Sequence, residues 1–456
     1  MPAGPGPRDP VLGAGLYEPF ARYLWKGSDY LSASPPSPPS PSSAASANGY
    51  LEWDRDRGVE RPLSQQGMRR ANLALVLGAV ARLGSTSRAQ LADATGLTRA
   101  AAGSLVSELI EAGLVREHGV SLEGRVGRPS TVVSMNDRGP AGLGLEIGVE
   151  HLGACVIDLC GDVRARIRVP APNRGRDPHA VIEQLARVAV QALADAAERK
   201  LEPVGVAVAV PGLVSASGDA VVHAPNLGWH DVNLAQQLRA LLPEPLRTLP
   251  VEVENEANLG ALAELQRGEV GRDFVHVSAE AGIGAALVVD GMLLRGRRGF
   301  AGELGHMPVY PDGLRCPCGS HGCLEQYAGE EAVLSSCGLQ DEAGDRVAVL
   351  FDQASAGRDA VCQALDAAGR ALGIALAGAV NLVDPETVVL GGAYADLSEW
   401  LTPGMQTELG ARVKIRPWEP EGLVVSGLRR EGPVIGAATA VVQRVIKDPA
   451  VIRQVA

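Results

Sequence analysis

The chain has 456 residues and a formal net charge of −11, which makes it too long for one ordinary core and too acidic to bind nucleic acid over its whole surface. Apolar residues at 46% and charged residues at 21%, with only 4% aromatics, exclude collagen-like, wholly disordered and aromatic-rich classes. No uncharged apolar run reaches the roughly 18 residues needed to cross a bilayer, and the N-terminus lacks a secretory pattern, so the expected location is the cytoplasm, without a membrane partner. The charge is unevenly spread. Residues 59–138 carry ten Lys and Arg against seven Asp and Glu, a balance of +3, and the remainder carries −14.

In chain order, residues 34–48 read SPPSPPSPSSAASAN, a Pro/Ser tract with no apolar period, and residues 1–58 are expected to be a disordered extension. Residues 72–80 have helical periodicity, broken at Gly84 and Ser85. Ser87 then caps a second short helix, Gly96 permits a tight turn, and Thr98 caps a third. Along that third helix Ala102, Leu105, Val106, Leu109 and Ile110 form the buried stripe, leaving Arg99, Ala100, Gly103, Ser104 and Ser107 on a small, polar outer face. Such a face can approach base edges in the major groove. A short strand from Val115, the basic glycine loop Gly124 to Pro129 with Arg125 and Arg128, and a strand at residues 131–134 complete the pattern of a winged helix-turn-helix, whose loop arginines suit a narrow minor groove.

After Gly142 the texture changes to β-rich runs alternating with alanine-rich helices. Residues 143–147 and 152–159 read as a hairpin around Gly148, residues 181–197 as a helix, and residues 204–210 as a buried strand ending in Pro211-Gly212. Further strands are expected at residues 251–253, 274–277, 284–289 and 387–391. The body, residues 139–456, therefore reads as α/β with two lobes around a cleft.

Seven cysteines are present, three of them clustered in the string Cys316-Pro-Cys318-Gly-Ser-His-Gly-Cys323, ten residues after His306. Three thiolates and one imidazole match the ligand set of tetrahedral zinc, and with all four positions filled by protein the ion is expected to be structural. A redox pair at Cys316 and Cys318, or unligated thiols, are the alternatives.

The string Gly299-Phe-Ala-Gly-Glu303-Leu-Gly-His306, followed by the cysteine cluster and Glu325, closely resembles the signature of the ROK family of repressors, open reading frames and sugar kinases. The resemblance extends through Val210-Pro-Gly-Leu-Val214, Glu254-Asn-Glu-Ala-Asn258, Gly282-Ile-Gly284 and Val389-Leu-Gly-Gly392, over roughly residues 66–450. It implies an actin-like, ribonuclease-H-like two-lobed sugar-kinase fold behind the winged helix-turn-helix (residues 59–138). It also implies sugar contacts from Gly212, Asn255, Glu256, Glu303, His306 and Glu325, with His306 serving metal and sugar through its two ring nitrogens. The family's kinases place aspartate at the position of Glu256, where it is the general base.

The resemblance covers both kinases and regulators. Where its kinases have an aspartate and a Gly-Gly-Thr turn for phosphate, this chain has Glu146-Ile-Gly148-Val149-Glu150, so an anion at Glu150 is expected to disfavour ATP. Ala281 replaces a threonine of the second phosphate turn, and Gly391-Gly392 are read as retained for packing. The expected function is a sugar-responsive transcriptional regulator, with no catalytic residue, that binds operator DNA as a homodimer or tetramer and responds to a monosaccharide or sugar phosphate. An ATP-dependent sugar kinase that also regulates transcription is the alternative.

Overall fold

The computed structural model describes residues 51–54, 59–62, 64–120, 131–244, 246–280, 282–342 and 344–454. A short antiparallel hairpin, Leu51–Asp54 with Val59–Pro62, belongs to a compact unit that ends at Gln65. The expected boundary at residue 58 thus falls between its two strands, and the Pro/Ser tract lies outside the described residues. The second unit begins at Gln66 and contains everything else.

Its first part is three helices and a small sheet. Gln65–Leu83 is followed by Arg88–Thr95, which begins on a full capping box: Gln90 N donates to Ser87 Oγ at 3.3 Å while Ser87 N donates to Gln90 Oε1 at 2.9 Å. Gly96 closes that helix in the left-handed region, and Thr98 caps Arg99–Glu111 by accepting from Ala101 N at 3.2 Å. Thr86–Ser87, Thr131–Met135 and Val115–Val120 form the three-stranded wing sheet in that order. The helices expected from periodicity are present, and the stripe Ala102, Leu105, Val106 and Leu109 is buried, with Ile110 half-buried at its edge.

The body contains two five-stranded sheets of the same topology. The first runs Val251–Asn255, Leu201–Val210, Gly139–Ile147, His151–Asp158, Val163–Pro170; the second runs Leu423–Val425, Thr387–Gly391, Phe274–Ala279, Ile283–Val289, Met292–Leu293. In each, the central strand pairs in parallel on one side and antiparallel on the other. One face of the first sheet packs against the helix Pro178–Glu198, and the outer face of the second packs against helices that include Asp359–Val383. By length and composition Asp359–Val383 could cross a membrane, but Leu365, Leu372, Leu376 and Val380 are fully buried in the second core.

Two helices, Glu256–Arg267 and Gly432–Lys447, pack on the first sheet's other face, and Glu256–Arg267 also reaches the second sheet. They meet almost backbone to backbone: a Cβ on Gly436 would lie 1.8 Å from the Leu259 carbonyl oxygen. Gly432–Lys447 also joins the helical module of residues 66–138 to the body. Val434, Ala438, Val441 and Val445 share one apolar cluster with Leu73, Val76, Leu77 and Leu109, and Arg70 is ion-paired with Asp448. The module expected at residues 59–138 therefore draws part of its core from the last helix of the chain. Gly436→Ala should cost about 2–3 kcal/mol, because neither backbone can retreat. Gly410→Ala, at an exposed helical site with nothing within 4 Å, should stabilise slightly, by about 0.5 kcal/mol; urea unfolding of both variants measures the contrast.

Candidate functional site

The cleft is built where the first sheet hands over to a helix. The strand Val251–Asn255 ends on Asn255, which caps Glu256–Arg267: its Oδ1 accepts from Ala257 N at 2.8 Å and Asn258 N at 3.3 Å. Its Nδ2 donates to the Gly212 carbonyl at 3.0 Å. Gly212 has a φ of +123°, and a Cβ there would meet the His223 carbonyl oxygen at 2.4 Å, so the close crossing of these two loops requires glycine. Glu254 braces the same corner, accepting from Asn258 Nδ2 at 3.0 Å and from Arg295 Nε at 2.8 Å.

Glu325 reaches the site from the other lobe, its Oε2 accepting from Ile283 N at 3.2 Å. The six residues expected to contact sugar, Gly212, Asn255, Glu256, Glu303, His306 and Glu325, all line one cavity of about 770 Å³, a size suited to a small ligand. Burial, reinforced by Glu280 and Glu146, pushes the Glu256 carboxyl well above the ordinary carboxylate range. Desolvation likewise raises Glu303, against the pull of His306.

The cysteine cluster borders the same cavity. One ligand atom from each of His306, Cys316, Cys318 and Cys323 lies within 4.8 Å of the others, a group able to hold a metal ion. Cys318 and Cys323 Sγ are 3.7 Å apart, and Cys316 Sγ lies 3.9 Å from His306 Nδ1. These separations match the edges of a tetrahedron with metal–sulfur bonds of about 2.3 Å. Gln326 Nε2 donates to Cys316 Sγ at 3.7 Å, and Leu314 N donates to the Tyr327 hydroxyl at 2.8 Å, holding the loop's base. With Nδ1 turned to the thiols, the other ring nitrogen of His306 is left for a cleft ligand.

On the DNA-binding module Thr98, Arg99, Ala100 and Ser104 are exposed and Gly103 is half-exposed, so the structure places the proposed reading face outward. Arg125 and Arg128 lie outside the described residues.

Two residues not singled out from sequence, His151 and Arg168, join Glu146 and Glu280 at the Gly148 turn. The His151 ring packs so tightly over Gly148 that a Cβ there would lie 2.1 Å from the ring. His151 Nε2 is 3.2 Å from Glu146 Oε1, and Nδ1 is 3.9 Å from Glu280 Oε2 across the cleft; Arg168 lies 3.6 Å from Glu280 Oε1. Glu150, the acid expected to oppose phosphate, is exposed; the buried acid at this turn is Glu146. His151 directly follows the turn in sequence and reads there as the start of a strand, so only its proximity to a degenerate motif could have signalled it. At the Gly391–Gly392 turn, a Cβ on Gly391 would collide with the buried His276 ring at 2.4 Å. Ala281 lies outside the described residues.

The sequence pattern that defines the ROK family matches residues 142–444, about two thirds of the chain. The chain belongs to the ROK family. The MarR family pattern matches residues 67–125, the helix-turn-helix and the first part of its wing. The xylose repressor of Caldicellulosiruptor bescii is 27% identical over 401 residues, spanning 84% of this chain and 98% of that protein. A ROK family transcriptional regulator homologous to the Escherichia coli MLC protein superposes with a TM-score of 0.69 at 25% identity, over 85% of this chain and 99% of that one. A ROK family glucokinase from Streptomyces griseus, solved with glucose and AMPPNP, gives a TM-score of 0.56 at 26% identity, over 66% and 99%. The ROK fold behind a winged helix, expected from the motifs, is the fold of this chain.

Burial pulls the His151 imidazole down, but the Glu146 carboxylate beside it and the charge of Glu280 outweigh that and hold it above its ordinary value near 6.5, with Arg168 opposing. Its charge therefore contributes stability that is fully present below about pH 6.5 and lost as pH rises through the raised folded value. The difference in unfolding free energy between the natural protein and His151→Gln should shrink from pH 6 to pH 9 in urea titrations; a constant difference would mean that the imidazole carries no charge in the fold.

Proposed function

We propose that this chain is a sugar-responsive transcriptional repressor that binds operator DNA through its winged helix-turn-helix and has no kinase activity. The observation that carries the reading is the joining of two sites in one compact unit: the outward face of Arg99–Glu111 and the carboxylate-lined cleft, connected through the core that both share with Gly432–Lys447. Two relatives that match 84% and 83% of the chain, more than the ROK pattern alone spans, bear the name xylose repressor. A polyol needs several fixed carboxylates and amides, because each desolvated hydroxyl must find a partner, and Asn255, Glu256, Glu303, His306 and Glu325 supply that set.

Loss of phosphoryl transfer is supported by the Gly148 turn. Its second glycine and its hydroxyl are replaced by Val149 and Glu150, and the His151 ring with Glu146 and Glu280 stands where backbone N–H groups would have to receive phosphate. Glu256 keeps a carboxyl where the kinases have their base, but in this setting it is suited to a sugar hydroxyl rather than to abstracting its proton. Steady sugar-phosphate production from glucose and Mg-ATP would overturn this part of the reading.

The metal is zinc, held by Cys316, Cys318, Cys323 and His306 in a structural role, and it fixes the His306 ring against the cleft. A homodimer places two Arg99–Glu111 helices on half-sites about one DNA turn, roughly 34 Å, apart. Sugar bound between the lobes alters that spacing, and a coupling of about 1–3 kcal/mol changes operator affinity roughly 5- to 150-fold.

Two tests follow from these assignments. With a DNA fragment selected for binding, Arg99→Ala should weaken affinity by about 1–3 kcal/mol, with an unchanged melting temperature and metal content. A sugar that binds in calorimetry should lower DNA affinity, and Glu303→Ala should abolish both effects; sugar binding without any change in DNA affinity would disprove the coupling.

A further inference from the structure

The cleft has one cation that the hydroxyl-binding set does not use. Arg174 is the Arg or Lys among the residues that line the cavity with Asn255, Glu256, Glu303 and His306. Among the described residues its guanidinium has no hydrogen bond or ion pair, a state it shares with the exposed Arg297 and Arg298, whereas Arg176 is engaged with Asn173 and Gln184, Arg168 with Glu280, and Arg295 with Glu254. A free surface arginine is ordinary in itself. Arg174 differs in the backbone that carries it.

Both of its neighbours are fixed. Asn173 is fully buried; its Nδ2 donates to the carbonyls of Gly148 at 2.8 Å and His151 at 3.1 Å, and its N–H donates to Val149 O at 2.7 Å. Gly175 N donates to Leu227 O at 3.1 Å, and Trp229 Nε1 donates to Arg176 O at 3.2 Å. Arg174 thus stands on a rigid bridge between the Gly148 turn and the loop with Pro225 and Asn226, which also line the cavity. Neutral hydroxyls are served by groups that accept as well as donate, but a guanidinium has five donors and no acceptor, a geometry that matches the paired oxygens of a carboxylate or phosphate. Because Glu256 is held toward its neutral form, the cleft repels an anion less than its three glutamates suggest.

We propose that the effector is a carbohydrate carrying an anionic group, either a phosphate ester or a carboxylate, and that Arg174 receives that group. This rests on the sugar-binding reading and narrows its ligand class. Calorimetry on the full chain in 0.15 M salt (about an 8 Å screening length) would compare matched probes: glucose with glucose 6-phosphate and glucuronate, xylose with xylose 5-phosphate, and N-acetylglucosamine with its 6-phosphate. In at least one set an anionic member should bind about tenfold or more tightly than its neutral parent. Arg174→Gln should close that gap and Arg174→Lys should retain part of it. Arg187→Gln, at an exposed site on Pro178–Glu198 paired with Glu183, should leave the gap intact. Phosphate and carboxylate arms that differ identify which anion is recognised. A neutral sugar that binds at least as well as its anionic derivatives, or a gap that survives Arg174→Gln in a variant with unchanged melting temperature, overturns the proposal and leaves the sugar reading standing. If none of the probes binds, both fail together.

Discussion

The close contact between the helix Gly432–Lys447 and the first sheet is the constraint on which the other arrangements depend. A Cβ at Gly142 or Gly144 would come within 2.4 Å of the backbone of Ala438 or Val434, so the helix lies directly on the central strand. From that seat its opposite side meets Glu256–Arg267, the helix whose first turn forms part of the cleft, and its last turns meet the DNA-binding module. Interiors at this packing density pass on strain rather than absorb it. A displacement of Glu256–Arg267 therefore cannot be absorbed locally, because the glycine contacts leave no slack.

Much of the site was legible because its chemistry is carried by residues close in sequence. Ser87, Gly96 and Thr98 are local capping devices, and they act in the fold as their spacing implies. The thiols and His306 converge within a span short enough for one loop to enclose an ion. The strand expected at residues 387–391 has those bounds, since an apolar β-branched run followed by two glycines leaves few alternatives.

What sequence did not reveal depends on long-range contact. His151 meets Glu280 only because the two lobes face each other, and nothing in the run Gly148-Val149-Glu150-His151 identifies that partner. Arg174 is unremarkable in sequence; only the burial of Asn173 and the pinning of Gly175 show that its backbone is held. The periodicity of the DNA-binding module marks its apolar faces, and Leu73, Leu77 and Leu109 are covered by a helix from the opposite end of the chain. Helical period records that a face is apolar, but not what covers it.

The shared apolar cluster also limits how the reading head can be exchanged among proteins of this type. A chimaera made by cutting near residue 138 would separate Val76 and Leu77 from Val441 and Val445, and Arg70 from Asp448. A transplanted head would expose an oily seam, and a body left without it would expose the matching one, so both fragments would be prone to clump. A workable graft has to carry a compatible final helix along with the head, so that the two ends of the chain move as one piece.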